Sequence, residues 1–306
     1  MDGVAVTGKA AAVVIGRNEG ERLALCLKSL QGQFDQIVYV DSGSTDASLL
    51  AAQDFGAHVI ALDVSRPFTA ARARNAGFAE LLELVPEIEL VQFIDGDCEL
   101  RSRWLEAAVQ HLQQRSDVAL VCGRRREKFP EASLFNRLCD IEWDTPVGET
   151  AACGGDFLIR VADFIKVQGF TEHLIAGEEP DLCFRLRQHN RKIVRLNEEM
   201  TLHDAAMQRM SQWWQRAKRS GYADAEASAR RGSQEPNLRR RVVSTIFWSA
   251  PLVWPLWPIL WARMYRQRGA LYATHIVAAK LPQLAGMLSY WNRWRRKTAP
   301  RLIEYK

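Results

Sequence analysis

Short apolar runs alternate with helical patterns through the first two hundred residues. Runs of strand length lie at 11–15, 37–40, 58–62 and 90–94, and each stops at polar or turn-forming residues. After the first, Leu23, Leu27 and Leu30 recur at helical spacing; after the second, 47–55 reads as a helix that Ser44 or Thr45 can cap; after the third, an Arg-rich helix opens at Ala70. Short apolar segments interleaved with helices predict a parallel, doubly wound sheet whose strands are buried on both faces. Residues 103–114 continue as a helix and 118–123 as a strand. Further on, 154–160 reads as a strand entered through Gly154-Gly155, and 177–182 is an acidic loop opening a helix, with Pro180 suited to its first turn. The last predicted strand is 193–196, followed by Leu202-His203-Asp204.

Beyond residue 204 the pattern changes. A basic helix is predicted over 208–229 and a hinge over 232–236, and residues 242–261 contain no charge. Twenty such residues can cross a bilayer. Pro251, Pro255 and Pro258 would break that helix, and Trp248, Trp254, Trp257 and Trp261 are spread along the run instead of marking its ends. An interfacial or re-entrant element is therefore favoured over a true span or a soluble core helix. The amphipathic segment 271–291, with His275 and Lys280, is expected to lie on a membrane surface. Charge supports this division. Residues 1–200 hold 22 Lys/Arg against 31 Asp/Glu, whereas 201–306 hold 19 against 5 and eight of the ten Trp. Basic and Trp-rich composition without a basic groove pattern points to anionic lipid and away from nucleic acid. Six Cys without a Cys-x-x-Cys pair read as buried thiols in a reducing compartment, and residues 1–9 show no h-region of a signal peptide.

Candidate chemistry collects where the predicted strands end, the edge at which open α/β sheets bind ligands. Asp95-Gly96-Asp97 closes the fourth strand with two carboxylates that can share a divalent cation, or is a plain turn with Asp97 capping a helix. Glu19, Asp41, Asp46, Asp95, Asp97, Glu178, Glu179 and Asp181 would crowd one edge, so a cation or Arg17, Arg72 and Arg74 must offset them. The chain has no Gly-x-x-x-x-Gly-Lys loop and no Gly-x-Gly-x-x-Gly after its first strand, which disfavours a Walker-type or dinucleotide site.

Over roughly residues 10–225 the chain resembles the family 2 glycosyltransferases. The likeness rests on six elements in order: Arg17-Asn18-Glu19, Val40-Asp41-Ser42-Gly43-Ser44-Thr45-Asp46, Ala73-Arg74-Asn75-Ala76-Gly77, Asp95-Gly96-Asp97, Gly154-Gly155 and Glu178-Glu179-Pro180-Asp181-Leu182. It implies a GT-A fold, Rossmann-like, with a mainly parallel sheet flanked by helices over 10–230 and a helical, membrane-associated C-terminal region over 237–306. It implies a nucleotide-sugar donor, a UDP-sugar above others, bordered by Gly16, Arg17, Asn18, Glu19 and Ser44. Asp41 would meet the base, Arg74 the base or phosphates, Asp95 with Gly96 the ribose or metal, and Gly154 and Gly155 the donor pocket. Asp97 would hold Mn²⁺ or Mg²⁺, with His203 as a further ligand. The general base falls on Glu179, where the family has Asp, with Glu178 or Asp181 as substitutes. The implied reaction is an inverting single displacement onto a hydroxyl of a lipid-linked or saccharide acceptor, at the cytoplasmic face of the plasma membrane, in exopolysaccharide or glycolipid synthesis. The Gln-x-x-Arg-Trp signature of processive synthases is absent, and Gln212-Trp213-Trp214-Gln215-Arg216 matches it only in composition. A nucleotidyltransferase and a non-catalytic, membrane-docked nucleotide-binding scaffold are the rival readings.

Overall fold

Apolar runs become strands here because both of their faces find cover. The structure, a computed structural model, describes residues 9–63 and 65–298, so the expectation about a leader at 1–9 lies outside it save for Lys9. β1 (Ala10–Gly16) is buried through Ile15. It is followed by α1 (Glu21–Leu30), β2 (Gln36–Asp41), α2 (Ser48–Asp54), β3 (His58–Ala61), α3 (Ala70–Leu84) and β4 (Leu90–Asp95). These four strands pair in parallel in the order β3-β2-β1-β4, as the alternation predicts. Their register sets Gly16 beside Asp41 and Ile15 beside Asp95, so the motif-bearing loops leave from one edge.

On the other side the sheet is mixed. After β5 (Cys98–Leu100), α4 (Trp104–Gln114), β6 (Val118–Glu127), α5 (Leu134–Trp143) and β7 (Gly148–Glu149), the strand β8 (Phe157–Arg160) runs antiparallel between β4 and β6. α6 (Val161–Lys166) and α7 (Glu178–Gln188) lead to β9 (Lys192–His203), which pairs in parallel with β6 and antiparallel with β5 and β7. The expected short strand at 193–196 is thus one twelve-residue strand with irregular register against β6. Its exposed interior, Asn197-Glu198-Glu199, looks like a turn in sequence and hides the continuation that places His203 opposite Cys98. The expected caps at Ser44 and Thr45 do not form. Asp46 accepts the Ser48 N–H instead (3.0 Å), and α2 starts there.

The chain divides into two compact units, one comprising 1–128, 143–173 and 178–204, the other 129–142, 174–177 and 205–306. In the second unit α8 (Met210–Arg231) packs with α9 (Pro236–Ser249) and α11 (Lys280–Arg296) around Tyr222, Ala225, Val242, Met287 and Tyr290, and α10 (Trp257–Ala278) precedes α11. α8 and α11 meet backbone to backbone. A Cβ at Gly286 would stand 2.0 Å from the Lys218 carbonyl oxygen, and one at Gly221 2.0 Å from that of Gln283. Gly286→Ala must push the helices apart, and a destabilisation of about 1–3 kcal/mol in urea unfolding is the expected result. An unchanged midpoint would refute the close crossing.

The uncharged run is broken, as its prolines predict: α9 ends at Ser249, a 3-10 segment spans Pro251–Leu256, and α10 begins at Trp257, with a bend of 93°. No single helix among the described residues is long and apolar enough to cross a membrane. The prolines act as their missing N–H and fixed φ require. Segment 271–291 is interrupted at Ala279, and the face of α11 carrying Gly286, Met287 and Tyr290 is covered by protein. The aromatic pair resolves as well. Trp213 is buried beside Phe135, with its indole N–H donated to His275 Nδ1 (2.9 Å), and His275 Nε2 meets Glu142 (3.0 Å). Because Nδ1 accepts that bond, Nε2 carries the imidazole proton. Gln212 closes the N-terminus of α8, taking the N–H groups of Gln208 and Arg209 on its side-chain oxygen (2.9 Å each).

Candidate active site

The first two loops at the sheet edge are tied to each other. Asn18, in the left-handed region (φ 55°), donates its N–H to Ser44 Oγ (2.9 Å), and its side-chain oxygen takes the Thr45 N–H (2.7 Å). Gly20 N–H reaches Ser48 Oγ (3.1 Å). Asp41, expected to meet a base, is buried and spends its carboxylate on this loop. One oxygen accepts the Gly43 and Ser44 N–H groups (3.0 and 2.9 Å) and the other the Tyr39 hydroxyl (3.2 Å). These bonds fix the shape of the rim. Arg17 is exposed at this rim, and Glu19 pairs with Arg22 (2.7 Å). Gly96 donates its N–H to the Ile15 carbonyl (2.8 Å), folding the β4–β5 turn over the end of β1.

One guanidinium organises the centre. Arg74, on the first turns of α3 and 2% exposed, reaches Asp95 (2.8 Å), Glu178 (3.1 Å) and Glu179 (3.3 Å). Three carboxylates around one buried cation leave negative charge, which mutual repulsion makes costly. Burial, and then the neighbouring Glu178 charge, raise Glu179 to about 7 against the pull of Arg74. Asp95 also lies 3.8 Å from Arg125, which grips Asp156 (2.7 Å), and Asp156 accepts the Asp95 N–H (3.1 Å) and the Thr201 hydroxyl (2.8 Å). Gly155 is what lets this cluster close. A Cβ there would stand 2.6 Å from an Arg74 nitrogen and 2.8 Å from Asp95. Gly155→Ala is expected to displace Arg74 and to raise the KM for a nucleotide-sugar donor at least about tenfold; an unaltered KM would argue against it. Gly154 lies beside Arg125, where a Cβ would stand 3.8 Å from its guanidinium.

The third group is the Asp97–His203 corner. Asp97 Oδ2 lies 3.1 Å from His203 Nε2, with both side chains nearly buried. Burial, followed by the Arg125 charge, lowers His203 to about 4, so its imidazole is neutral near pH 7. Its Nδ1 is buried without a hydrogen-bond partner, and the Trp143 ring lies 4.8 Å from it, centroid to centroid. Ligand atoms of Asp97, Cys98 and His203 lie within 4.8 Å of one another. A carboxylate and a neutral imidazole converging this way fit one divalent cation such as Mn²⁺. Burial holds the Cys98 thiol well above its usual range, hence protonated and a poor ligand.

Two expected site residues stand elsewhere. Asp181 accepts the Thr171 hydroxyl (2.7 Å) and the Arg185 Nε–H (3.0 Å), bonds that brace the start of α7. Arg72 turns to the backbone carbonyls of Asp63, Arg66 and Pro67 and offsets none of the acids. Asp156, Arg125 and Trp143 are site residues that the motifs did not indicate; a buried Asp directly after Gly154-Gly155 was the one available signal.

This sheet edge thus brings a candidate metal corner, Asp97 with His203, beside a buried Arg–carboxylate cluster around Arg74. Residues 11–150 match the model of glycosyl transferase family 2. It is 28% identical over 188 residues to the pre-mycofactocin glycosyltransferase of Mycobacterium tuberculosis, a match covering 57% of this chain and 38% of that protein's length. In structure it is similar to a mannosyltransferase of Pyrobaculum calidifontis in complex with GDP-Man and Mn²⁺, at 15% identity and a TM-score of 0.65, covering 92% of this chain and 87% of the other. Glucosyl-3-phosphoglycerate synthase of M. tuberculosis, in complex with Mn²⁺, UDP-glucose and phosphoglyceric acid, is similar at 18% identity and a TM-score of 0.50, over 76% and 85%. At such identities these two likenesses show the fold, which is GT-A.

Proposed function

We propose that the protein is an inverting, metal-dependent glycosyltransferase that moves a sugar from a nucleotide-diphosphate donor, a UDP-sugar before others, to a hydroxyl of a lipid-linked or saccharide acceptor. The observation that carries this reading is Glu179, a carboxylate raised to about 7 and held by Arg74, which also binds Asp95, at the edge that bears Asp97 and His203. A carboxylate with that affinity for protons is matched to taking the acceptor hydroxyl's proton near neutral pH. Glu178 raises its basicity by repulsion, and Arg74 fixes its position. Asp97 and His203 would hold Mn²⁺ or Mg²⁺, which when bound supplies charge neutralisation for a diphosphate leaving group. Both structural neighbours described above carry Mn²⁺ with a nucleotide sugar. Against a nucleotidyltransferase, Gly16 to Gly20 is a poor version of the Gly-rich, Lys/Arg-containing loop expected after the first strand.

We infer that the acceptor lies at the cytoplasmic face of the plasma membrane, in exopolysaccharide or glycolipid synthesis. Support comes from the second unit, where Phe247, Leu252, Trp254, Leu256 and Ile259 are exposed beyond the basic run Arg239-Arg240-Arg241. Thermal-shift measurement of the full chain with UDP-, GDP- and dTDP-sugars tests the donor. With Mn²⁺, a preferred donor at about 100 Kd adds about 2.7 kcal/mol, a rise in Tm of about 5–10 °C, and EDTA removes it. Equal melting with and without every donor would end this reading.

A further inference from the structure

A groove of about 660 Å³ runs along α9, with Arg239 and Arg240 at one end and Val243, Phe247 and Trp248 along its length. Arg241 turns to Asp224 (2.7 Å), but among the described residues neither Arg239 nor Arg240 has an ion pair. The opposite face of α9, with Leu238, Val242, Thr245 and Ser249, is buried. Both faces are thus largely apolar past the first turns, which suits a helix surrounded by apolar material. The indoles here, Trp254 exposed and Trp257 and Trp261 half-buried, are also fitted to a medium without water. Trp254 donates its N–H to the Ser249 carbonyl (3.3 Å), Trp257 to that of Trp248 (2.9 Å) and Trp261 to the Thr274 hydroxyl (3.1 Å). No indole hydrogen bond would be lost if these rings entered hydrocarbon. From Arg240 to Ser249 the helix rises about 14 Å, close to half of a hydrocarbon core of about 30 Å. Beyond that depth the chain bends by 93°, and Leu252, 94% exposed, stands at the turn.

We propose that this groove seats the phosphate of an anionic phospholipid, with Arg239 and Arg240 on the head group, Val243, Phe247 and Trp248 along its chains, and Leu252 sunk within the same leaflet. The proposal rests on the membrane reading above and adds the lipid site and the insertion depth. Opposite charge and matched length argue for the bilayer's own phospholipid over a protein partner. Guanidinium favours phosphate through paired N–H donors.

Flotation of the full chain with phosphatidylcholine vesicles, and with vesicles also containing phosphatidylglycerol, provides the test. R239A/R240A is expected to weaken binding to the anionic vesicles about thirtyfold and to leave the weak binding to neutral vesicles unchanged. L252D is expected to lower binding to both. R295A/R296A removes the same charge elsewhere and should cost much less; an equal loss would mean diffuse attraction and overturn the groove. Phosphate and chloride at equal ionic strength should act alike, and displacement by phosphate alone would make this a free-phosphate site and overturn the lipid. Wild-type protein that floats with neither vesicle overturns the membrane reading together with the groove. Donor-induced thermal shift, read in the same samples, reports the transferase reading independently.

Discussion

Replacing Asp97 with alanine is expected to reduce metal-dependent sugar transfer by about a thousandfold or more, because the cation's share of leaving-group stabilisation amounts to several kcal/mol. Asp97 is the carboxylate facing His203 Nε2 at 3.1 Å, and its removal leaves a neutral imidazole as the remaining ligand in that corner. The fold should tolerate the change, since the backbone bond in which the Asp97 carbonyl accepts the Asp204 N–H (3.1 Å) needs no side chain. His203→Ala should raise the Mn²⁺ concentration needed for half-maximal rate, with a smaller loss at saturation. Turnover measured against Mn²⁺ concentration, with the melting temperature of the metal-free protein as control, decides the matter. An Asp97→Ala enzyme that keeps wild-type metal-dependent turnover would remove the corner from the mechanism.

How much of this was legible from sequence depends on the range of the signal. Strand ends with their turn residues are local, so 11–15, 37–40 and 90–94 led directly to β1, β2 and β4, and Arg74, Asp95, Asp97, Glu179 and His203 meet at the edge they define. Roles were less legible than places. Asp41 sits in a pattern that serves equally as a base-contacting acid and as an Asx-type turn, and the structure shows the turn. Arg72 and Arg74 differ by two positions on one helix and therefore face apart; sequence spacing alone does not say which one enters the site. Asp156 and Arg125 gain meaning only through the pairing of β8 and β6, a contact across the sheet. The bulged course of β9 has no local signature, since its polar middle reads as a turn. Helix α8 was assigned to the catalytic region by continuity of sequence, whereas its packing partners come from the last 70 residues.

Glu179 offers the sharpest test, because acidity, activity and stability must change together. With the free enzyme's base at about 7, kcat/KM is expected to rise about tenfold per pH unit from 5 to near 7 and then level. Glu179→Gln should lower kcat by about a hundred- to ten-thousandfold and erase that limb from the residual rate. Glu178→Gln should keep activity but move the limb to lower pH, because the Glu178 charge is one of the causes that raise Glu179. The stability sign follows from linkage. A carboxyl held above its ordinary value of 4.5 in the folded protein favours the fold at low pH, and this contribution is lost as pH rises through about 7. The Gln variant should therefore melt above the wild type at pH 8, and that advantage should shrink at pH 5. If Glu178→Gln were the inactive variant and Glu179→Gln the active one with a shifted limb, the base would be Glu178. The elevated carboxyl would then be its electrostatic partner, with Arg74 still holding both in place.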